Sequence, residues 1–468
     1  MKRVVVVGGG ISGLAAAWEA AERASTDGLD VLVLERDDAV GGKARSLADD
    51  GWLVEAGPTA YQEGEPAVDA LIRGAGLTPL PADDASARRF IVGRGRMREV
   101  FAHPLKFARS GLLSPSGMVR VALEPLIPAK RDGADETVWD FARRRIGREA
   151  ADRLIAPMVL GVFAGNAKKI SLPAVFPKLT ALEAEHGSLI RGMIAKRRRG
   201  NRKAADAAAG SASRLVSFRD GLQSLPLALA RREAFAVRCA TPVESLESRG
   251  GGWRLRAGGE PIDADAVVLA GEPWAMAPLL RGVEPRVAEL LGGIECPPVT
   301  VVALGFSGEA ARRIPRGFGV LVARGEGYRM LGCLWDSHLF PGRSPAGRIL
   351  VRVMVGGAVD PEAARLPDGE LTSLVREELS RMMGVRGEPE YRRIVRWPRA
   401  IPQYGLGHLT RAAEIDHRLA ARPGLFLGGN ALGGISFGKA AEAGRRAGAA
   451  AAAYLRAGRR GVGVPAGD

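Results

Sequence analysis

The stretch that decides the fold is the first one, MKRVVVVGGGISGLAAAWEA (1–20). Its β-branched run has no polar alternation, which predicts a strand from Arg3 to Val7 buried on both faces of a parallel sheet. Gly8, Gly10 and Gly13 follow as G-x-G-x-x-G. Gly8 makes the tight turn, Gly10 lets the backbone approach a pyrophosphate, and Gly13 lets the new helix pack on the sheet. Ile11 and Ser12 open that helix, where amides lacking an intrahelical acceptor favour phosphate. A second apolar strand, Asp30 to Leu34, ends in Glu35, 22 residues after Gly13. That carboxylate is placed to accept two ribose hydroxyls, and its charge disfavours a 2′-phosphate. Strand, glycine turn, helix and acid together predict a dinucleotide-binding α/β unit.

Two further glycine-rich stretches extend this reading. RDDAVGGKARS (36–46) sets Gly41 and Gly42 beside Lys43 and Arg45, with Arg36 just before, and predicts a second contact with the same cofactor. EAGP (55–58) offers another close approach at Gly57 and Pro58. Near the far end, FLGGNALGGISFGKAAEAG (426–444) repeats the grammar of the opening: a strand, a glycine pair, then a second pair opening an alanine-rich helix. Gly429, Asn430, Gly434, Ile435 and Ser436 fall in it. A helix N-terminus here suits phosphates or the polar edge of a flavin ring. A domain built from both chain ends is discontinuous, with other domains inserted.

The bulk composition fits that architecture. A chain of 468 residues with 46% hydrophobic residues has enough material for several cores. The net charge of +15 suits a solvated basic surface, an anionic membrane surface or an anionic substrate. No nucleic-acid module accompanies it. Cys239, Cys296 and Cys333 are scattered and odd in number, against a disulfide framework or thiolate metal site and in favour of a reducing, cytoplasmic compartment. A strand beginning at residue 3 leaves no room for a signal peptide, and no uncharged apolar run reaches the roughly 18 residues of a spanning helix. The five histidines form no metal cluster, and no hydrolase or P-loop motif occurs.

The segments Gly8–Gly13, Glu35 and Gly41–Arg45 resemble the opening of the FAD-dependent amine oxidase superfamily. Internal blocks narrow the resemblance to the oxygen-dependent porphyrinogen oxidases of haem synthesis. They are GVFAGNAKKISLPAVFPKL (161–179), EAEHGSLIRGM (183–193), FRDGLQSLP (218–226), RGFGVLV (316–322), LGCLWDSHLFPGR (331–343) and RAIPQYGLGH (399–408). The resemblance implies an α/β fold: a Rossmann-like FAD-binding domain from discontinuous segments, an inserted mixed α+β substrate domain, and a helical membrane-associating domain. On this sequence the FAD domain takes 1–75, 201–290 and 396–460, the substrate domain 76–98 and 291–395, and the helical domain 99–200, with 461–468 a flexible tail. It adds Val243 and Trp397 to the FAD contacts.

The implied reaction is FAD-mediated removal of six hydrogens from protoporphyrinogen IX, with dioxygen as acceptor and hydrogen peroxide as product. Arg89 matches the family arginine that pairs with a propionate, its planar fork suited to a carboxylate. Phe318 and Leu321 match residues that sandwich a pyrrole ring, with Gly319 between them, and Gly161 matches a glycine facing the macrocycle. Leu160 stands where many members carry arginine. No side chain stands out as a catalytic base. The alternatives are coproporphyrinogen III, with four propionates, and a non-catalytic flavin or porphyrin carrier. The segment 101–130 interleaves leucines and phenylalanines with cations, as either an interfacial membrane contact or a hairpin closing the substrate pocket. The basic stretch 196–205 suits solvent or anionic lipid. A homodimer and a haem-pathway enzyme are further expected partners.

Overall fold

The computed structural model describes residues 1–23, 28–101, 103–198 and 214–460. Most of the basic stretch 196–205 and all of the tail 461–468 lie outside these residues. Five parallel strands form one sheet in the order Ala236–Arg238, Leu29–Leu34, Lys2–Val7, Ala266–Leu269, Leu425–Leu427. Both chain ends thus meet in one sheet, as the repeated glycine grammar predicts. Val4, Val5 and Val6 are fully buried, in keeping with a run that never alternates.

Small residues decide how the helices cover this sheet. Gly444 and Gly448 of helix Phe437–Arg460 lie against the carbonyls of Ser12 and Ala16 of helix Ile11–Arg23, which a Cβ at either glycine would strike. The two helices therefore pack backbone to backbone, and the C-terminal glycine turn is drawn beside the N-terminal one. An antiparallel meander, Val243–Arg249, Gly252–Ala257 and Glu260–Ala264, covers the opposite face.

A second, seven-stranded sheet runs Tyr391–Trp397, Val299–Phe306, Ile349–Gly356, Met330–Leu334, Gly319–Val322, Arg89–Gly93, Arg96–Val100. It is mixed, since only Gly319–Val322 and Arg89–Gly93 run parallel. One face buries Val320, Val322, Cys333, Val353 and Val355 with Leu371, Val375 and Leu379 of helix Asp368–Met383. Its last strand reaches Val100, so strand continues just past the start of the segment read as helical from residue 99.

Helices occupy Pro104–Arg198. From Thr137 onward the expected helical domain is a series of broken helices. Thr137 caps Val138–Ile146 by accepting the Asp140 amide at 3.0 Å, and Gly147, at φ 90°, ends that helix. After a short π-helical segment, Ala151–Ile155, the chain resumes as Ala156–Phe163. Phe141, Val159 and Phe163 are core, whereas Trp139 and Met158 are half-buried around them. The sequence gives no sign of the charged group beneath: Arg145 is fully buried, ion-paired to Glu124 and, at 3.2 Å, to Glu183.

Candidate active site

The opening turn has the geometry its glycines imply. Gly8 sits at φ 110°, and a Cβ on Gly13 would strike the Gly8 carbonyl. A Cβ on Gly10, by contrast, meets nothing within 4 Å, so this is the open side of the turn. The first amides of the helix beginning at Ile11 have no acceptor within it and are free for an anion. Glu35 is buried: one carboxylate oxygen accepts the Gly9 amide at 2.6 Å and the other the Asp37 amide at 2.9 Å. Each oxygen keeps a second lone pair for a ribose hydroxyl. The cradle therefore fits a dinucleotide.

The remaining expected cofactor residues gather around it. Gly10 forms a parallel bridge with Gly41, whose amide donates to the Gly9 carbonyl at 2.9 Å, and Gly42 takes φ 56°. Gly57 crosses directly over the Lys43 carbonyl, where a side chain would collide, and Pro58 follows half-buried. Val243 opens the meander just after Thr241, whose amide is bonded to the Glu35 carbonyl. Trp397 donates from its indole to the Ala56 carbonyl at 2.7 Å. The Gly429 amide donates to the Ser12 hydroxyl at 2.6 Å, joining the two glycine turns. Ser436 caps the C-terminal helix by accepting the Lys439 amide, and Ile435 packs on the helical core.

The expected cations are engaged by the protein itself. Lys43 bonds the Ala400 carbonyl and pairs with Glu272 at 2.6 Å. Arg45 reaches Asp38 at 3.3 Å. Arg36 lies 4.9 Å from the Trp274 ring, whose surroundings also include Arg399 at 5.1 Å. Glu272 and Trp274 have no motif-like spacing to announce them.

Of the expected substrate residues, Arg89, Gly319 and Leu321 share the open face of the seven-stranded sheet, Gly161 approaches that face from a helix, and Phe318 lies apart. Gly319 is registered against Arg89 on one side and Leu334 on the other; Leu321 lies opposite Ile91 and Gly332. Gly332 and Leu334 in turn pair with Met354 and Arg352. Paired residues share a face, so Arg89, Leu321, Leu334, Met354 and Arg352 point the same way. Leu321, Leu334 and Met354 are only half-buried although their strands lie inside the sheet. Leu334 and Met354 become legible only through this register. Gly161, on helix Ala156–Phe163, touches Leu321 so closely that a Cβ would collide with it, and Leu160 is buried with Val299, Leu331 and Ala400.

Phe318 and Leu321 lie in separate clusters, Phe318 with Leu339 and Phe340, Leu321 with Ile91 and Leu112. The intervening Gly319, at φ 149° and pressed on the Cys333 carbonyl, allows the turn between them. The Arg89 guanidinium lies 5.1 Å from the Phe318 ring centroid. Burial among protein atoms pulls its pKa below the ordinary arginine value. The side chain nevertheless keeps an open, solvent-facing surface, the part a ligand would meet.

Arg352 ties this face to the cradle. It is buried, donates to both oxygens of Asp336 at 2.8 and 2.9 Å, to Thr59 at 2.6 Å, and to the carbonyls of Glu55 and Gly57. No cluster of three or more metal-ligating side chains occurs among the described residues.

Comparison with known proteins agrees with this construction. Residues 11–452 match the family model for flavin containing amine oxidoreductase. The chain is 30% identical over 467 residues to the coproporphyrinogen III oxidase of Bacillus subtilis (strain 168), covering 97% of this chain and 98% of that protein. It is 32% identical over 461 residues to the chloroplastic protoporphyrinogen oxidase of Oryza sativa subsp. japonica, covering 94% and 86%. A crystal structure from Exiguobacterium sp. 255-15 superposes with a TM-score of 0.83 at 25% identity, covering 97% and 99%. With a two-ended dinucleotide cradle, a facing mixed sheet and a family match over nearly its whole length, the chain belongs to the flavin-containing amine oxidoreductases, and its cofactor is FAD.

Proposed function

We propose that the protein oxidises protoporphyrinogen IX to protoporphyrin IX, six hydrogens leaving the macrocycle as three dioxygen molecules become three hydrogen peroxide. The observation that carries this reading is the Arg89 guanidinium, with no acidic partner among the described residues and set over the Phe318 ring, at the rim of the half-buried apolar face of Leu321, Leu334 and Met354. An apolar macrocycle with acidic arms needs that combination: a cation for a propionate and a water-poor wall for the rings. The names of the curated relatives support it. FAD, when bound, supplies the hydride acceptor and passes the electrons to dioxygen.

The chain's own residues bind, orient and exclude water. Arg89 anchors one propionate, Gly161 lets its helix close on Leu321, and Leu160 keeps that edge dry. Arg352 is too fully bonded to move a proton, and among the described residues no other ionisable group of this face is placed as a base. Pyrrole protons leave to solvent or through tautomerisation of the macrocycle. Coproporphyrinogen III is the second reading, favoured by the name of the Bacillus relative, which the chain matches end to end. Anaerobic mixing with each porphyrinogen, following bleaching of the flavin's yellow band, tests both. Fast bleaching by protoporphyrinogen alone supports the first, preference for coproporphyrinogen the second, and bleaching by neither leaves a binding protein.

The helical region is the part proposed to rest on a membrane. Leu105, Val119, Leu123 and Leu126 are exposed there, Leu126 by 70%, with Lys106, Arg109 and Arg120 among them. No helix among the described residues is long and apolar enough to cross a membrane. Anionic vesicles at low salt should pull the protein down, and an equal amount left in solution with or without them sinks this location.

A further inference from the structure

RAIPQYGLGH (399–408) ends in two side chains that the porphyrinogen reading leaves unused. Tyr404 and His408 are both buried, and their rings stack at 3.7 Å with 12° between planes. The Tyr404 hydroxyl donates to the Asn430 carbonyl at 2.5 Å and accepts the Gly434 amide at 2.9 Å. The His408 Nε2 faces the Leu432 carbonyl at 3.3 Å, which makes it the donor of that bond. Three alternate backbone groups of the segment 430–434 are therefore held from one side by one stacked pair. Ala431 and Leu432 anchor the segment in the core beneath the meander, and the pair holds its backbone between the Gly429 turn and the helix cap at Ser436, where Gly434 sits at φ 126° against Lys439.

We propose that the Tyr404–His408 pair is a positioning clasp, holding the 430–434 segment in the shape in which its backbone faces the flavin. This rests on the assignment of Gly429–Ser436 to the cofactor. Burial pushes the tyrosine pKa up and the histidine pKa down to about 4, so the phenol stays a donor and the imidazole stays neutral across the working range. The clasp also reaches the other chain segments at the cradle, because Ala400 on the same stretch accepts from Lys43.

Tyr404→Phe keeps the ring stack and removes both hydroxyl bonds. Apoprotein of this variant, titrated with FAD by flavin fluorescence, should bind about tenfold more weakly, and the bound flavin's absorption fine structure should blur. Its apoprotein melting temperature should match that of the parent, since the segment matters to the cofactor more than to the core. Gly434→Ala separates this proposal from the assignment beneath it. If Gly434→Ala weakens FAD binding while Tyr404→Phe leaves affinity and spectrum unchanged, the clasp is wrong and the segment still faces the flavin. If both variants leave them unchanged, the assignment of the segment falls, and the clasp with it. A Tyr404→Phe apoprotein that melts lower by as much as the holoprotein would make Tyr404 a structural residue only.

Discussion

The cradle for the dinucleotide and the face opposite it are built by different means. The cradle uses backbone: Gly8, Gly13 and Gly57 are where they are because a Cβ would meet a carbonyl, and the anion-facing groups are amides. Its components repeat at both ends of the chain and are joined by one hydrogen bond from Gly429 to Ser12. The facing sheet uses side chains from distant segments, Arg89 and Phe318–Leu321, brought together by strand register, with the bare backbone of Gly161 letting one helix close on Leu321. Backbone recognition tolerates almost no substitution at its close approaches. Side-chain recognition can lose one group and keep the fold. The two regions should therefore break differently.

The largest effect is expected in the cradle. Gly13→Val puts side-chain atoms into the Gly8 carbonyl, at a cost of about 3 kcal/mol or more. The variant should purify colourless or fail to fold; a yellow, fully loaded protein would show that the turn can yield. Next comes the junction between the regions. Arg352→Met leaves Asp336 buried without its partner, a loss of about 3–5 kcal/mol in chemical denaturation. Adding Asp336→Leu should recover most of it, because the penalty belongs to the stranded charge. A double variant no more stable than the single one would mean that the bonds to Glu55, Gly57 and Thr59 carry the stability.

On the facing sheet the expected change is kinetic rather than structural. Arg89→Ala should raise KM for the porphyrinogen roughly tenfold to hundredfold, as expected for a lost charge-assisted bond, with FAD content and melting temperature unchanged. Loss of kcat with KM intact would place Arg89 in the chemistry instead. The smallest effect is expected in the helical region, and only in acid. Burial pushes Glu124 up, but bonds from Ser188, the Leu189 and Ile190 amides and Arg145 outweigh it and hold its pKa below the ordinary value. Its contribution is therefore present above the unfolded pKa of about 4.3 and is lost as pH falls through the lower folded value. Melting curves between about pH 5 and 3 should show a steeper fall for the parent than for Glu124→Gln.

How much was legible follows the same division. The opening strand, the glycine turn and Glu35 are contiguous or at fixed offsets, so pattern alone located them, and the second glycine turn was found because it repeats the first. Arg89, Gly161 and Leu321 came from resemblance, and the sheet register explains why they belong together. Tyr404 and His408 stand four residues apart in RAIPQYGLGH (399–408), yet nothing in that spacing shows that both address the segment around residue 432. Lys43 was legible as a cation near the cofactor, but not its engagement by Glu272, which lies more than 200 residues away.

The sequence by itself determined that a dinucleotide is held at a glycine turn, because close backbone approach needs glycine at fixed local positions. It also determined that the holding domain is discontinuous, because the same grammar stands at both ends. Tertiary structure alone decided which side chains share the opposite face, where the π-helical break falls, and that the buried Arg352 joins the two regions. Those depend on strand register and on pairings across hundreds of residues, which no local pattern encodes.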